Sequence, residues 1–330
     1  MSQALSHAER TYITDGLALN PPQRLDFRKL DQFRNIEIEA PASLQADGSA
    51  RVRIGTTEVL CGVKAEVESQ VPSRVSVSDS NTSIEYSPWL PPTPRVQCSV
   101  EMSPALLQNY STHEQGVLTQ SLNQIISSCF VHNGSRIGPF SAGQFVVLPN
   151  ARYWLLHVDV YVMSRSSGNL LDTLFAAVFA ALWHTRLPRT QVLAYEAPEA
   201  SQDMVDAEDD PLGMKYITRG RRTRAPGASA NAVDYTIVDE YDDGVPLDGR
   251  DEIPVCITVF PISTGYLLDA SFEEEAALRT SVSVITSASG RLYGIHQRGD
   301  KAFEPAALHA ATQVAAQHAK QLAETLKYEH

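Results

Sequence analysis

The sequence contains few of the patterns that build disulfide frameworks or metal centres. Four cysteines are spread along 330 residues without a CxxC pair, namely Cys61, Cys98, Cys129 and Cys256. This spacing argues against a disulfide framework and a zinc ribbon, and it suits a reducing compartment. The nine histidines form no HExxH motif or paired metal spacing. We therefore expect core thiols and no metal or cofactor.

Long apolar runs are also missing. The longest apolar helix that the pattern predicts, 170–182, is too short to cross about 30 Å of hydrocarbon, and the first ten residues lack a signal-peptide pattern. We expect a soluble intracellular protein. Because this helix is apolar on several faces, we expect it to be internal or covered by neighbouring subunits, with poor solubility of the isolated chain.

The net charge of −12 is unevenly distributed. Residues 196–252 contain 15 Asp and Glu against 6 Lys and Arg, a net charge of −9, so the remainder carries only −3. Net charge therefore neither supports nor excludes RNA binding. A basic run at 219–224 could bind RNA phosphates, but a solvated run inside an acidic insertion is the favoured interpretation.

The order of predicted elements indicates an α+β fold with two related lobes of β-sheet and helix. Alternating strands precede a helix in the first half, and strands followed by a helix from Pro305 recur in the second half. The predicted organisation is an N-terminal helix and extended arm (1–34), a first lobe (35–190, with a polar insertion at 70–94) and a second lobe (191–330, with a mobile charged insertion at 198–252).

The turn between the strand 153–163 and the apolar helix resembles a phosphate site without its phosphate chemistry. Free backbone N–H groups at a helix start commonly hold anions. Here we expect the side chain of Asn169 to cap the helix and Asp172 to reach back as in a capping box. A carboxylate in that place would repel phosphate, so Gly168, Asn169 and Asp172 are predicted to form a degenerate phosphate site.

Six segments occur in the order found in one known family. They are 24–28 (RLDFR), 48–57 (GSARVRIGTT), 62–66 (GVKAE), 168–172 (GNLLD), 180–182 (AAL) and 268–275 (LDASFEEE). Together they resemble the ribonuclease PH family, and within it the subunits of the eukaryotic exosome ring. One departure is Phe27, where the family usually has Gly.

The resemblance implies the ribonuclease PH fold and a six-membered ring that threads RNA through a central channel. It also implies the other ribonuclease PH-like subunits and RNA-binding cap proteins as partners, a role in rRNA maturation and mRNA turnover, and residence in the nucleus, nucleolus and cytoplasm. Near the turn after the helix 117–131, active relatives carry basic RNA contacts, which makes Arg136 and His132 candidates. Plain surface positions are an equal alternative for both residues.

Active members of the family cleave RNA with inorganic phosphate. A Gly-Gly-Thr-Arg-Thr type turn holds the phosphate, and the reaction uses a nearby aspartate. The matching turn, 167–171, lacks the Thr and Arg donors. The aspartate position aligns near Ser281, and no acid occurs from 276 through 299. Asp269 and Ser281 are thus predicted to mark a degenerate catalytic region, and the chain is predicted to be non-catalytic.

Other interpretations remain open at this point. An active phosphate-dependent 3'-5' exoribonuclease could use Asp172 and Asp269, and a regulatory module unrelated to RNA is a third reading. The acids Asp269 and 273–275 could be metal ligands, although a helix start is favoured. The loop aromatics Tyr86 and Trp89 could stack on RNA bases or pack against a neighbouring subunit.

Overall fold

The computed structural model describes most of the chain. The described residues are 5–69, 95–108, 111–133, 136–148, 151–193, 234–239, 242–299 and 304–327. The predicted polar insertion 70–94, with Tyr86 and Trp89, and the basic run 219–224 lie outside these ranges.

The helices are α1 (His7–Ala18), α2 (Pro104–Leu107), α3 (Thr112–Ser128), α4 (Leu170–His184), α5 (Phe272–Leu278) and α6 (Pro305–Leu326). The strands of the first half are β1 (Ile36–Glu39), β2 (Gly48–Ile54), β3 (Thr57–Ser69), β4 (Val96–Met102), β5 (His132–Asn133), β6 (Arg136–Ile137), β7 (Phe140–Ser141), β8 (Val146–Leu148), β9 (Arg152–Arg165), β10 (Arg186–Leu187) and β11 (Thr190–Leu193). The second half contributes β12 (Asp234–Ile237), β13 (Val245–Pro246), β14 (Val255–Ile262), β15 (Gly265–Leu268), β16 (Ser281–Thr286) and β17 (Leu292–Arg298).

Two main sheets confirm the α+β prediction. The first sheet has the order β1-β2-β3-β9-β4, with β8 also paired to β9. All of its pairs are antiparallel except β4 with β9, which run parallel. The second sheet is antiparallel, with the order β15-β14-β16-β17. A helix follows the last long strand of each sheet, α4 after β9 and α6 after β17.

Helix α4 forms the centre of the core because it contacts both sheets. It packs against β2 and β3 on one side and against β14 on the other, and α6 also touches it. Thirteen of its residues are buried, including Leu174, Phe175 and Phe179. Burying a side chain of this size stabilises the fold by about 1.5–3 kcal/mol. The apolar faces of α4 are therefore buried within the chain itself. They do not need neighbouring subunits to cover them.

Local capping boxes set the starts of two helices. Ser6 and Glu9 form a capping box at α1, and Ser271 and Glu274 form another at α5. The predicted helix start at 273–275 is therefore confirmed. None of the described helices combines the length and the apolarity needed to cross a membrane.

The predicted mobile insertion is wrong at its C-terminal end. Strand β12 pairs antiparallel with β11, and β13 pairs with β10, so 234–237 and 245–246 return to the first lobe. Arg152 of β9 also binds Asp234 at 2.9 Å. These strands form because they pair with strands that are distant in the sequence. The polar local sequence does not indicate that pairing.

Two glycines of the first sheet give a matched test of the packing. A methyl group at Gly48 would lie 2.1 Å from Thr185 Oγ1 and 2.6 Å from the carbonyl oxygen of Ala181, whereas one at Gly62 would meet no heavy atom within 4 Å. We expect Gly48→Ala to lower the free energy of unfolding by about 1–3 kcal/mol through overpacking. Gly62→Ala should change it by no more than about 0.5 kcal/mol. Urea denaturation measures both, and equal effects would contradict this packing of α4 on β2.

Candidate functional site

The Gly168–Asn169 turn lies where the two lobes meet. It connects β9 to α4, and both residues have left-handed backbone, with φ of 80° and 52°. A Cβ at Gly168 would lie 2.9 Å from the backbone nitrogen of Phe272, so the turn packs directly on the start of α5. Glycine is required there both by φ and by this close approach. The turn is therefore held against the corner between β15 and α5.

An internal carboxylate binds the backbone donor of this turn. The Asn169 N–H donates to Glu275 Oε1 at 2.5 Å. Burial raises the pKa of Glu275, while the hydrogen bond from Asn169 and the charges of Arg165, Arg298 and Arg34 act in the opposite direction. The donor that could face a phosphate oxygen is thus engaged by the chain itself.

A second carboxylate, Asp269, reaches the same turn. The Asn169 side-chain amide donates to Asp269 Oδ1 at 2.7 Å. Arg34 donates to both Asp269 oxygens, at 2.6 and 2.9 Å, and Arg28 adds a contact at 2.9 Å. Burial by itself would raise the pKa of Asp269, but the hydrogen bonds and charge of Arg34 lower it below its usual value. Asp269 is therefore an ionised, fully paired group.

The N-terminal arm supplies these arginines and one more buried ion pair. Arg24 donates to the two Glu274 oxygens at 3.0 and 2.7 Å, and both side chains are almost fully buried. Arg24 also donates to the carbonyl oxygens of Leu268 and Asp269. Bidentate pairs of this kind fix orientation as well as charge. The arm is thereby fastened to the corner between β15 and α5.

The turn in the N-terminal arm forms even though Phe27 stands where the family usually has Gly. Phe27 has a φ of 60°, its backbone N–H donates to the carbonyl of Arg24 at 3.2 Å, and its side chain is 93% exposed. A left-handed non-glycine residue costs about 1–3 kcal/mol. The ion pairs of Arg24 and Arg28 on either side hold this conformation in place.

The predicted capping box at α4 is wrong. The Asn169 side chain makes no capping hydrogen bond. Its backbone is left-handed, and its side-chain amide donates to Asp269 instead. Asp172 accepts hydrogen bonds from the Thr258 N–H at 2.9 Å and the Thr258 hydroxyl at 2.7 Å. That hydroxyl also lies 3.0 Å from Ser283 Oγ. Burial raises the pKa of Asp172 to about 7, and the bonds from Thr258 only partly offset it.

The tertiary structure brings two carboxylates to the turn, because Asp269 and Glu275 both bond Asn169. Ser281, the predicted position of the missing aspartate, is a buried residue at the start of β16, opposite Arg298 of β17. Glu275 closes the acidic run at 273–275, and this run was the signal in the sequence. Arg24 and Arg28 lie in the family-like segment 24–28, whereas nothing in the sequence marked Arg34.

The two candidate RNA contacts lie on neighbouring strands of a small sheet. Arg136 is exposed on β6, between β5 and β7, and His132 of β5 pairs with Ile137. The side chain of His132 is outside the described part of the structure. Within the described residues, no group of three or more His, Cys, Asp or Glu is placed to hold a metal ion.

The Arg34–Asp269 pair can be tested against an exposed arginine. Arg34→Ala leaves the buried Asp269 with less compensation, so we expect a loss of about 3–5 kcal/mol in the free energy of unfolding near neutral pH. Arg53→Ala, which breaks a surface pair with Glu37, should cost no more than about 0.5 kcal/mol. Because the folded pKa of Asp269 is lowered, the loss should shrink as the pH falls below about 3.9. Equal losses for the two variants in guanidinium denaturation would refute the role of Arg34.

Asp172 predicts the opposite pH dependence. Between the unfolded pKa of about 3.9 and the folded pKa of about 7, only the folded state keeps the proton. Stability must therefore fall as the pH rises through this window, by up to about 1.4 kcal/mol per pH unit, and level off above it. We expect Asp172→Asn to remove this slope, whereas the exposed control Asp159→Asn should retain it. Parallel profiles for Asp172→Asn and the wild type would contradict the burial argument.

Comparisons with known proteins show what the chain is similar to. Residues 32–188 match the family model described as "3' exoribonuclease family, domain 1". The chain is 24% identical to the "Exosome complex component Rrp42" of Methanosarcina acetivorans, covering 98% of this chain and 94% of that protein. It is 26% identical to the "Exosome complex component rrp42" of Schizosaccharomyces pombe, covering 87% and 80%.

A solved structure shows the same fold. A chain of a structure titled "Archaeal exosome core" aligns with a TM-score of 0.62 at 19% identity, covering 97% of each chain. The ribonuclease PH-like fold predicted from the sequence is thereby confirmed. Residues 32–188 therefore match domain 1 of the 3' exoribonuclease (ribonuclease PH) family, and the chain is similar to exosome complex components named Rrp42.

Proposed function

We propose that this chain is a non-catalytic structural subunit of the RNA exosome ring. In that role it helps to form the central channel that threads RNA for 3'-5' degradation and processing. The observation that carries the proposal is the bond between the Asn169 N–H and the carboxylate of Glu275. Relatives named as exosome complex components along most of its length support the placement in a ring.

Phosphorolysis needs donors and cations that are free to hold inorganic phosphate and the developing charge. At this turn the backbone donor of Asn169 binds an internal carboxylate, and Asp269 is neutralised by Arg34 and Arg28. Loss of one oxyanion donor typically costs about 3–4 kcal/mol of transition-state stabilisation. The loss of a free donor and the engagement of the arginines both act against catalysis.

An active phosphate-dependent exoribonuclease is the alternative, and the geometry works against it. Asp172, one of its two candidate acids, is fully buried and bonded to Thr258. Asp269, the other, is held ionised by its arginines and so has no proton to donate to a leaving group.

The partners that follow are the other ribonuclease PH-like ring subunits, the RNA-binding cap proteins and the RNA in the channel. Arg136, which is exposed, and His132 are the residues we assign to RNA contact. The corresponding processes are rRNA maturation and mRNA turnover, and we place the protein in the nucleus, including the nucleolus, and in the cytoplasm.

The activity of the purified chain tests the proposal. With single-stranded RNA and inorganic phosphate, we expect no release of nucleoside diphosphates above the buffer control, because the turn cannot hold phosphate. An active ribonuclease PH-type enzyme under the same conditions serves as the positive control. Phosphate-dependent release that disappears in the Asp172→Asn, Asp269→Asn double variant would establish the alternative instead.

A further inference from the structure

The outer face of the first sheet, opposite to α4, carries a nearly complete set of ion pairs. Glu37 pairs with Arg53, and Arg51 pairs with both Glu39 and Glu58. On the neighbouring strands, Lys64 pairs with Asp47, and His157 lies 3.7 Å from Glu66. Arg51, Arg53 and Lys64 are therefore each engaged by at least one acid.

Two acids on the same face depart from this pattern. Asp159 of β9 and Glu101 of β4 are both exposed, and neither forms a salt bridge with any base in the described part of the chain. The register places Ser99 opposite Asp159 and Glu101 opposite Tyr161. From the spacing of paired strands, the Cα atoms of the two acids lie about 8 Å apart. One cationic side chain could face both carboxylates.

A concavity opens between these acids and the neighbouring strand. Gly62 lies opposite Asp159 in β3, and no heavy atom lies within 4 Å of the place its Cβ would occupy. The resulting cavity of about 400 Å³ is lined by Gly62, Leu60, Tyr161 and both acids. Tyr161 is 36% exposed and its neighbour Met163 is 40% exposed. The cavity thus combines an acidic rim with an apolar wall.

We propose that this acidic concavity is the docking site for a basic segment of a neighbouring ribonuclease PH-like subunit, an inference that rests on the proposed function. A Lys or Arg side chain has the required chemistry, since its apolar stem can lie on Leu60 and Tyr161 while its charged head faces Asp159 and Glu101. The sign of the charge excludes RNA as the occupant, because phosphate would be repelled. Charge complementarity between the acidic concavity and a basic segment gives the contact its specificity.

Assembly of the ring from full-length subunits tests this docking site. The chain is produced together with the ribonuclease PH-like subunits of its own organism, and assembly is followed by native mass spectrometry and sedimentation. The test variant is Asp159→Lys with Glu101→Lys. The matched control is Glu39→Lys with Glu66→Lys, which changes the net charge equally on the same face at acids that already have partners. A third variant, Asp159→Asn with Glu101→Gln, removes the charge without reversing it.

We expect the test variant to weaken assembly at least tenfold, the matched control to change it less than twofold, and the neutral variant to fall between them with a weaker dependence on salt. Circular dichroism and thermal melting report whether each variant folds, and the neutral variant decides the matter if the lysine variant does not. Assembly of the folded test or neutral variant at the wild-type level overturns the docking site and leaves the ring role standing. Failure of the wild-type chain to assemble overturns the proposed function itself.

Discussion

The neutralisation of one buried carboxylate, Asp269, is the interaction on which the arrangement of this protein depends. Arg34 from the N-terminal arm and Asn169 from the start of α4 both bond it, and Asp269 itself ends the hairpin of the second sheet. Three segments that are far apart in the sequence therefore meet at one charge. A buried carboxylate without such partners would be strongly destabilising, so the arm, the turn and the second sheet must be in place together.

The same interactions decide what the turn can do chemically. A strand that leads into a helix start normally offers free N–H donors to an anion. Here Glu275 takes the donor of Asn169, and the arginines that could attract phosphate are engaged with Asp269 and Glu274. The groups that a phosphorolytic site would use are present in part, but they stabilise the junction between the lobes. The contacts at this position hold the two lobes together.

The two faces of the first sheet divide the remaining roles. Its inner face packs on α4, whose aromatic and aliphatic side chains are buried between both sheets. Its outer face is polar, and Arg51, Arg53 and Lys64 on it are engaged by acids. Asp159 and Glu101 form no salt bridge with a described base, and in the proposed docking site they face the partner.

The amino-acid sequence by itself determined the order of strands and helices, the capping boxes at Ser6 and Ser271, and the family resemblance, because each depends on residues close together in the chain. Only the tertiary structure decided that Asn169 bonds Asp269, that Asp172 turns to Thr258 and that Glu275 reaches the turn. These partners lie 86 to 106 residues apart. Local propensity predicts a cap from neighbouring residues. In the folded chain, groups from the second half of the chain bond Asn169 and Asp172 instead of the local backbone.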